Sequence, residues 1–434
     1  MNYAETTDYM QRLNRFGMKL GLERVERLLG LLGNPQKSFR SVLVGGTSGK
    51  GSTTVMIGSM LRAAGHRTGV FVKPHLSDFR ERISVDGKMI PESDFVRLVG
   101  KIKPFAERMR SEGESPTFFE FITAVAFEYF RERRVQFAAV EVGLGGRLDA
   151  TNTLIPDVCI ITHVSLEHTD ILGDTVEKIA REKAGIIKRG CVLVTADKNK
   201  EVLHLLEKTC AERGAKFLRA PEIRNAKSTA EGNEFVFENE KIFVALAGRY
   251  QLENISCALA AIRSLGDKIP AKAIKKGLEK TRWPGRFELV SVHPKVLLDG
   301  AKDVASTRSL VDSLDLIKHE KLYTVFGASD DKLVPEMLRE LADVTDVFIF
   351  TRHRVLNRGV EPSELARCAG KHDKKFMVVN DVKDAVKKAI RLAGKNDLVL
   401  VTGSLFTVGE AREIWFRKKS RMGREFNENV RTGK

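Results

Sequence analysis

With 434 residues and a formal net charge of +16 at pH 7, the chain is too long for one simple core and calls for two or three domains. Its 42% apolar and 30% charged residues exclude a mainly disordered state, and no apolar run reaches the roughly 20 residues of a membrane span, since Glu120, Thr123 and Glu128 interrupt the stretch from Phe118 to Phe130. The opening MNYAETTDYMQRLNRF has no signal-peptide core, and five scattered cysteines without a CxxC pair argue against a disulfide framework or a zinc site, so a cytoplasmic protein is expected.

From residue 41 onward short apolar runs alternate with amphipathic stretches, which predicts a parallel sheet with helices packed on both faces. Strands are expected at 41–45, 68–72, 136–142, 157–164 and 191–195, with helices at 52–64, 92–110, 117–132, 174–188 and 199–213. FVFENEKIFVAL reads as a hairpin, a helix follows over 252–265, and Pro284 and Gly285 in TRWPGRF then break regular structure. The expected division is a P-loop-type domain over 1–286 and a smaller Rossmann-like α/β domain over 287–434, whose strands fall at 295–299, 322–327, 346–350, 375–379 and 397–402.

The strand SVLVG runs into GTSGKGSTT and then a helix, an arrangement that turns backbone N–H groups and a lysine toward a nucleotide's phosphates. It is a variant Walker A loop: the first glycine of the usual pattern is replaced by Val44, and Gly51 separates Lys50 from Ser52. Gly46, Thr47, Ser48, Gly49, Lys50, Gly51, Ser52 and Thr53 are the expected ATP-binding residues, with Ser52 or Thr53 offering a hydroxyl to Mg²⁺. Glu141 ends a buried strand before a glycine-rich loop, where a carboxylate either ligates a metal or is tied to loop N–H groups or Arg147. Lys183 lies four residues from both Ile179 and Ile187 on one helical face. Burial there would favour a neutral, CO₂-reactive amine, unless the side chain lies along the core with its head in water.

GTSGKGST, FRERI, EVGLGGRLDATN, SLEHTDILG, IAREKAGIIK, PGRFE, LDGA, FGASDDK and TGSLFTVGEAR occur in this order over about residues 40–412. Together they resemble the dihydrofolate synthase and folylpolyglutamate synthase family of the Mur ligase superfamily. The resemblance implies a two-domain, Mg²⁺- and ATP-dependent ligase that joins L-glutamate to a pteroate or folate carboxylate through an acyl phosphate. It also implies that Glu141 and His168 are Mg²⁺ ligands, that Lys183 is carbamylated, and that Asn254 and Asp299 contact the nucleotide. On chemistry alone a histidine would not be chosen for Mg²⁺. Arg286 at the domain boundary is expected either to reach the phosphates on closure or to pair with a surface carboxylate. Asp331, Lys332 and Ser404 stand at later strand ends, where substrate binding and turn roles are both open.

Three positions depart from the family. Lys73 stands where a serine near magnesium is usual, Lys302 where a histidine linked to substrate is usual, and Phe406 where a tyrosine is usual. They leave open a Mur-type ligase for another acid or amine. The positive charge and the basic residues at 417–424 raise nucleic acid as a distant alternative, without the aromatic-rich basic strand of an RNA-recognition fold. Small-molecule substrates and a monomer are expected.

Overall fold

Side chains along the first strand alternate between two cores, Leu43 entering one and Val42 and Val44 the other. The same two-residue period sends Ala138 and Val140 one way and Phe137 and Ala139 the other. A sheet covered on both faces is therefore built into these runs. The computed structural model describes residues 1–14, 20–266, 269–355, 358–370 and 374–416; the basic residues at 417–424 lie outside them.

The first sheet comprises β1 (Arg40–Gly45), β2 (Thr68–Phe71), β3 (Ile83–Val85), β4 (Lys88–Met89), β5 (Phe137–Glu141), β6 (Val158–Ile161), β7 (Val192–Thr195) and β8 (Lys216–Arg219). Their order is β4-β3-β2-β5-β1-β6-β7-β8, parallel from β2 to β8 with β3 and β4 antiparallel at one edge. Beside it stands a small antiparallel sheet of β9 (Lys227–Thr229), β10 (Gly232–Phe237) and β11 (Glu240–Val244). The second large sheet comprises β12 (Glu288–Val292), β13 (Lys295–Leu298), β14 (Leu322–Phe326), β15 (Val347–Arg352), β16 (Lys375–Asp381) and β17 (Leu398–Thr402). Its order is β12-β13-β17-β14-β15-β16, parallel except for β12.

The expected α/β architecture is borne out, with differences at its edges. The short or partly polar strands β3, β4, β8, β9 and β12 were not anticipated, and neither were the helices Tyr3–Asn14, Glu23–Leu31 and Ala271–Glu279. The helix expected over 174–188 ends at Ala184, capped by Gly185. Ile187 therefore reaches the core from a turn, yet it is as buried as Ile179 on the helix. Among the described residues, no helix is long and apolar enough to cross a membrane.

The carboxyl ends of the two parallel sheets meet across a crevice. Tyr250 donates its hydroxyl to Asp299 at 2.9 Å, Arg286 donates to the Gly300 carbonyl at 2.9 Å, and His168 Nδ1 lies 3.7 Å from Asp331 Oδ2. Ligands of open α/β sheets bind at such edges, where the strand order reverses. A cavity of about 470 Å³ opens there, with His163, Leu166, Asp197 and Glu253 on one wall and Val304 and Arg308 on the other.

Candidate active site

The loop after β1 is held open by contacts that only glycine permits. Gly46 and Gly49 have φ of +133° and +83°. A Cβ on Gly49 would fall 2.0 Å from Asn254 Oδ1, and one on Gly46 would fall 2.0 Å from Thr162 Oγ1. Thr47 N–H donates to the His163 carbonyl at 2.6 Å, and Thr162 donates to the Ser48 carbonyl at 2.6 Å. Lys50, the first residue of the helix Lys50–Ala63, donates to the carbonyls of Gly46 at 2.6 Å and Thr47 at 2.8 Å. Burial pulls its ammonium down to about 8.

The hydroxyls of Ser48 and Thr53 are buried without a hydrogen-bond partner, at the start of a helix whose N-cap, Gly49, offers no side-chain acceptor. Donors left over at a helix N-terminus suit an anion, so these residues fit a nucleotide's phosphates. Asn254 donates to Gln251 at 2.9 Å, and Gln251 donates to Ser52 Oγ at 3.3 Å. This relay ties the helix Gln251–Ser264 to the loop.

Glu141, 5% exposed, sits at the end of β5 beside the loop. Its Oε2 accepts the Lys73 N–H at 2.8 Å and lies 3.3 Å from where a Cβ on Gly51 would stand. Desolvation raises its pKa, opposed by Lys50, Lys73 and Arg286. Arg147 is not its partner: that guanidinium pairs with Glu182 at 2.9 Å. Among the described residues, no three His, Cys, Asp or Glu side chains converge as a metal cage. Glu141 with the Ser52 hydroxyl nevertheless suits Mg²⁺, which keeps waters and is commonly completed by substrate phosphates.

Lys183 is 1% exposed, as its spacing predicts, and pairs with Glu167 at 2.5 Å. Sequence reading missed Glu167, because a carboxylate one residue before a motif histidine has no periodic signature. Against its desolvation, the charges of Lys50, Lys183 and Lys302 together hold Glu167 down to about 2. His168 takes a left-handed backbone, φ 47°. Burial, with Lys332 and Lys302 nearby, pulls its imidazole down to about 4, so it is neutral at pH 7 and its ring is free to act as a ligand.

From the second sheet, Asp299 is buried and fully engaged: its Oδ2 accepts from Phe287 N–H at 2.8 Å and from Tyr250, and its Oδ1 from Ala301 N–H at 2.8 Å. Lys332 donates to Asp331 at 2.7 Å, and Arg358 pairs with Asp331 at 3.0 Å. The field of Lys302 reaches Lys50, Glu167, His168 and Lys332, so the loop lysine and the second lobe's cations share one crevice. Ser404 caps the helix Leu405–Arg412 by accepting the Phe406 N–H at 3.2 Å. Trp283 escaped the sequence reading: its ring lies 3.0 Å from the Cβ position of Gly51, and its indole N–H is buried without a partner.

His353 lies behind this edge, fully buried, with Nε2 3.1 Å from Ser329 Oγ and its ring 5.3 Å from that of Phe406. Burial, assisted by Arg358 and Arg352, pulls it from 6.5 to about 4. Between these values the unfolded chain holds the extra proton, so stability is full above pH 6.5 and falls by up to ~3 kcal/mol as pH drops to 4. In His353→Gln this acid limb is expected to be shallower, with His168 still contributing. Urea midpoints at pH 7 and pH 4.5 check it, and an unchanged difference between them counts against the assignment.

Two family models match the chain: the Mur ligase middle domain over residues 44–262 and the Mur ligase glutamate ligase domain over 285–405. The dihydrofolate synthase/folylpolyglutamate synthase of Bacillus subtilis is 35% identical over 431 residues, covering 95% of this chain and 98% of that protein. The chain belongs to the dihydrofolate synthase/folylpolyglutamate synthase family. It is thus an ATP-dependent ligase of the Mur type.

A probable bifunctional folylpolyglutamate synthase/dihydropteroate synthase of Haloferax volcanii is 36% identical over 429 residues; this chain spans 51% of its length. Among solved structures, the Mycobacterium tuberculosis folylpolyglutamate synthase complexed with ADP superposes with a TM-score of 0.90 at 29% identity, covering 96% and 99% of the two chains. Escherichia coli FolC in complex with DHPP and ADP does so with 0.85 at 31%, covering 97% and 100%.

Proposed function

We propose that this family member joins L-glutamate to dihydropteroate, to a folate glutamate, or to both, using MgATP. The observation that carries this reading is the meeting of the phosphate loop and Glu141 on one lobe with a cationic edge, Lys302 and Lys332, on the other. ATP phosphorylates the acid's carboxylate, and the glutamate amine then displaces phosphate from the acyl phosphate to form an amide. Gly46 to Thr53 cradle the triphosphate and Asn254 orders that loop. Lys50 and Arg286 lie against the charge that moves, where fixed cations in a closed cleft act most strongly. Glu141, Ser52 and His168 would hold Mg²⁺, which would supply further neutralisation of that charge. Lys183 acts by fixing Glu167. Carbamylation of Lys183 would replace this ion pair with two adjoining anions. Asp299 shapes the turn that carries Arg286, and it would contact the nucleotide only by exchanging one of the bonds it now accepts from Phe287, Tyr250 and Ala301. Lys302, Lys332, Asp331 and Ser404 line the amino-acid end.

Residues 1–286 and 287–434 form the two working units of a cytoplasmic monomer, and nucleic acid is not a partner. Purified protein given MgATP, glutamate and dihydropteroate or tetrahydrofolate is expected to release ADP and an extended product. If no acid of this class stimulates ADP release, the assignment fails. Lys73, Lys302 and Phe406 favour a second reading, in which a Mur-type ligase of this build takes a different acid or amine. ADP release across a panel of amino acids, with glutamate inactive, would select it.

A further inference from the structure

The Lys73 ammonium is in an unusual position. The residue follows β2, its side chain is 9% exposed, and Nζ has no hydrogen-bond partner among the described residues. Nζ lies 3.5 Å over the ring of Phe119 and 5.4 Å from that of Phe71, two rings that stack at 6.2 Å. The nearest carboxylate, Asp149, is 3.9 Å away and already accepts the N–H groups of Gly143, Leu144 and Thr151. Gly143 makes room for the ammonium, because a Cβ there would stand 2.9 Å from Nζ. Burial pulls this amine down to about 7 against the attraction of Asp149 and Glu141, so its charged form, with three unused donors, is costly unless something completes its coordination.

The sheet order indicates what that partner is. β1, which carries the phosphate loop, is followed by β5 with Glu141 and then by β2 with Lys73. At ~4.8 Å per strand, Lys73 springs from a strand roughly 10 Å from the phosphate loop's own, on the far side of the catalytic carboxylate. Lys50 already serves the loop itself. The rings of Phe119 and Phe71 lie against this amine, and aromatic surface suits a flat acid better than a triphosphate. Resting on the ligase reading above, we propose that Lys73 is the substrate-binding residue that clamps the carboxylate of the aromatic acid and presents it for phosphorylation. A lysine thus stands where the family uses a serine, and a carboxylate bound against it would hold the amine in its charged form.

The test pairs a protein change with a ligand change. Affinities of dihydropteroate and of its uncharged carboxamide are measured by calorimetry, with Mg²⁺ and a non-hydrolysable ATP analogue present. The native protein is expected to prefer the carboxylate by ~10- to 100-fold, as for a charge-assisted hydrogen bond in a buried site. In Lys73→Met, which keeps the stem along Phe119, the preference should collapse to within about threefold. Lys73→Ser provides the same comparison should the methionine variant fail to fold, and Lys73→Arg should restore most of the preference. A preference that survives in both Lys73→Met and Lys73→Ser overturns this inference and leaves the ligase reading standing. If the native protein binds neither form, both fall.

Discussion

Lys50→Ala is expected to lower turnover by ~10³-fold while leaving thermal stability at or above that of the native chain. Removing one preorganised donor from a charge-stabilising site typically costs ~10²- to 10³-fold, and Lys50 adds a full positive charge in a crevice where water screening is weak. Its Nζ lies within 2.8 Å of two loop carbonyls, so the group sits where the phosphates are proposed to lie. The stability side follows from the sign of its pKa displacement. Burial takes the ammonium from 10.5 to about 8, so the folded protein binds the proton less tightly than the unfolded chain does. Below pH 8 the buried charge is a net cost that alanine removes, offset by the two hydrogen bonds lost at ~1 kcal/mol each. Initial rates of ADP release and a melting curve at pH 7 check both parts. Near-native turnover would show that the triphosphate lies elsewhere.

The interior of both sheets was legible because a strand buried on both faces needs a nearly continuous apolar run, and VLVG, FAAV, VCII, LYTVF and LVLV supply one each. Edge strands gave no such signal. Lys88–Met89 is exposed and Lys216–Arg219 only partly covered, so their polar residues are satisfied by water on the outer side. The active site divided along a similar line. Gly46, Gly49 and Lys50 could be read from spacing because a phosphate loop is local in the chain. Glu167 beside Lys183, Trp283 over Gly51 and His353 behind Phe406 join residues 16, 232 and 53 positions apart, respectively, and only the folded sheet brings them together. Lys183 shows the limit of burial arguments: its helical spacing located the side chain correctly, but the partner that decides its chemistry came from a different loop.

Glu141→Gln should separate function from stability more sharply than any other substitution in this crevice. Glutamine keeps the shape and can still accept the Lys73 N–H now bound at 2.8 Å, so the end of β5 is held as before. What disappears is the charge proposed to bind Mg²⁺, and turnover is expected to fall by ~10³-fold at ordinary magnesium, several kcal/mol of charge stabilisation being at stake. In the native fold desolvation outweighs the attraction of Lys50, Lys73 and Arg286 and raises the Glu141 pKa. The stability linked to this group is therefore complete below 4.5 and is lost as pH rises through the elevated folded value. At pH 7 the carboxylate is a cost to the fold, and its amide should melt no lower than the native chain, the trade common at functional sites. A magnesium titration of ADP release, run beside melting curves, reads both effects. Loss of activity accompanied by a matching loss of stability would assign Glu141 to the scaffold, whereas a higher melting point with activity partly recovered at high magnesium would place it on the metal.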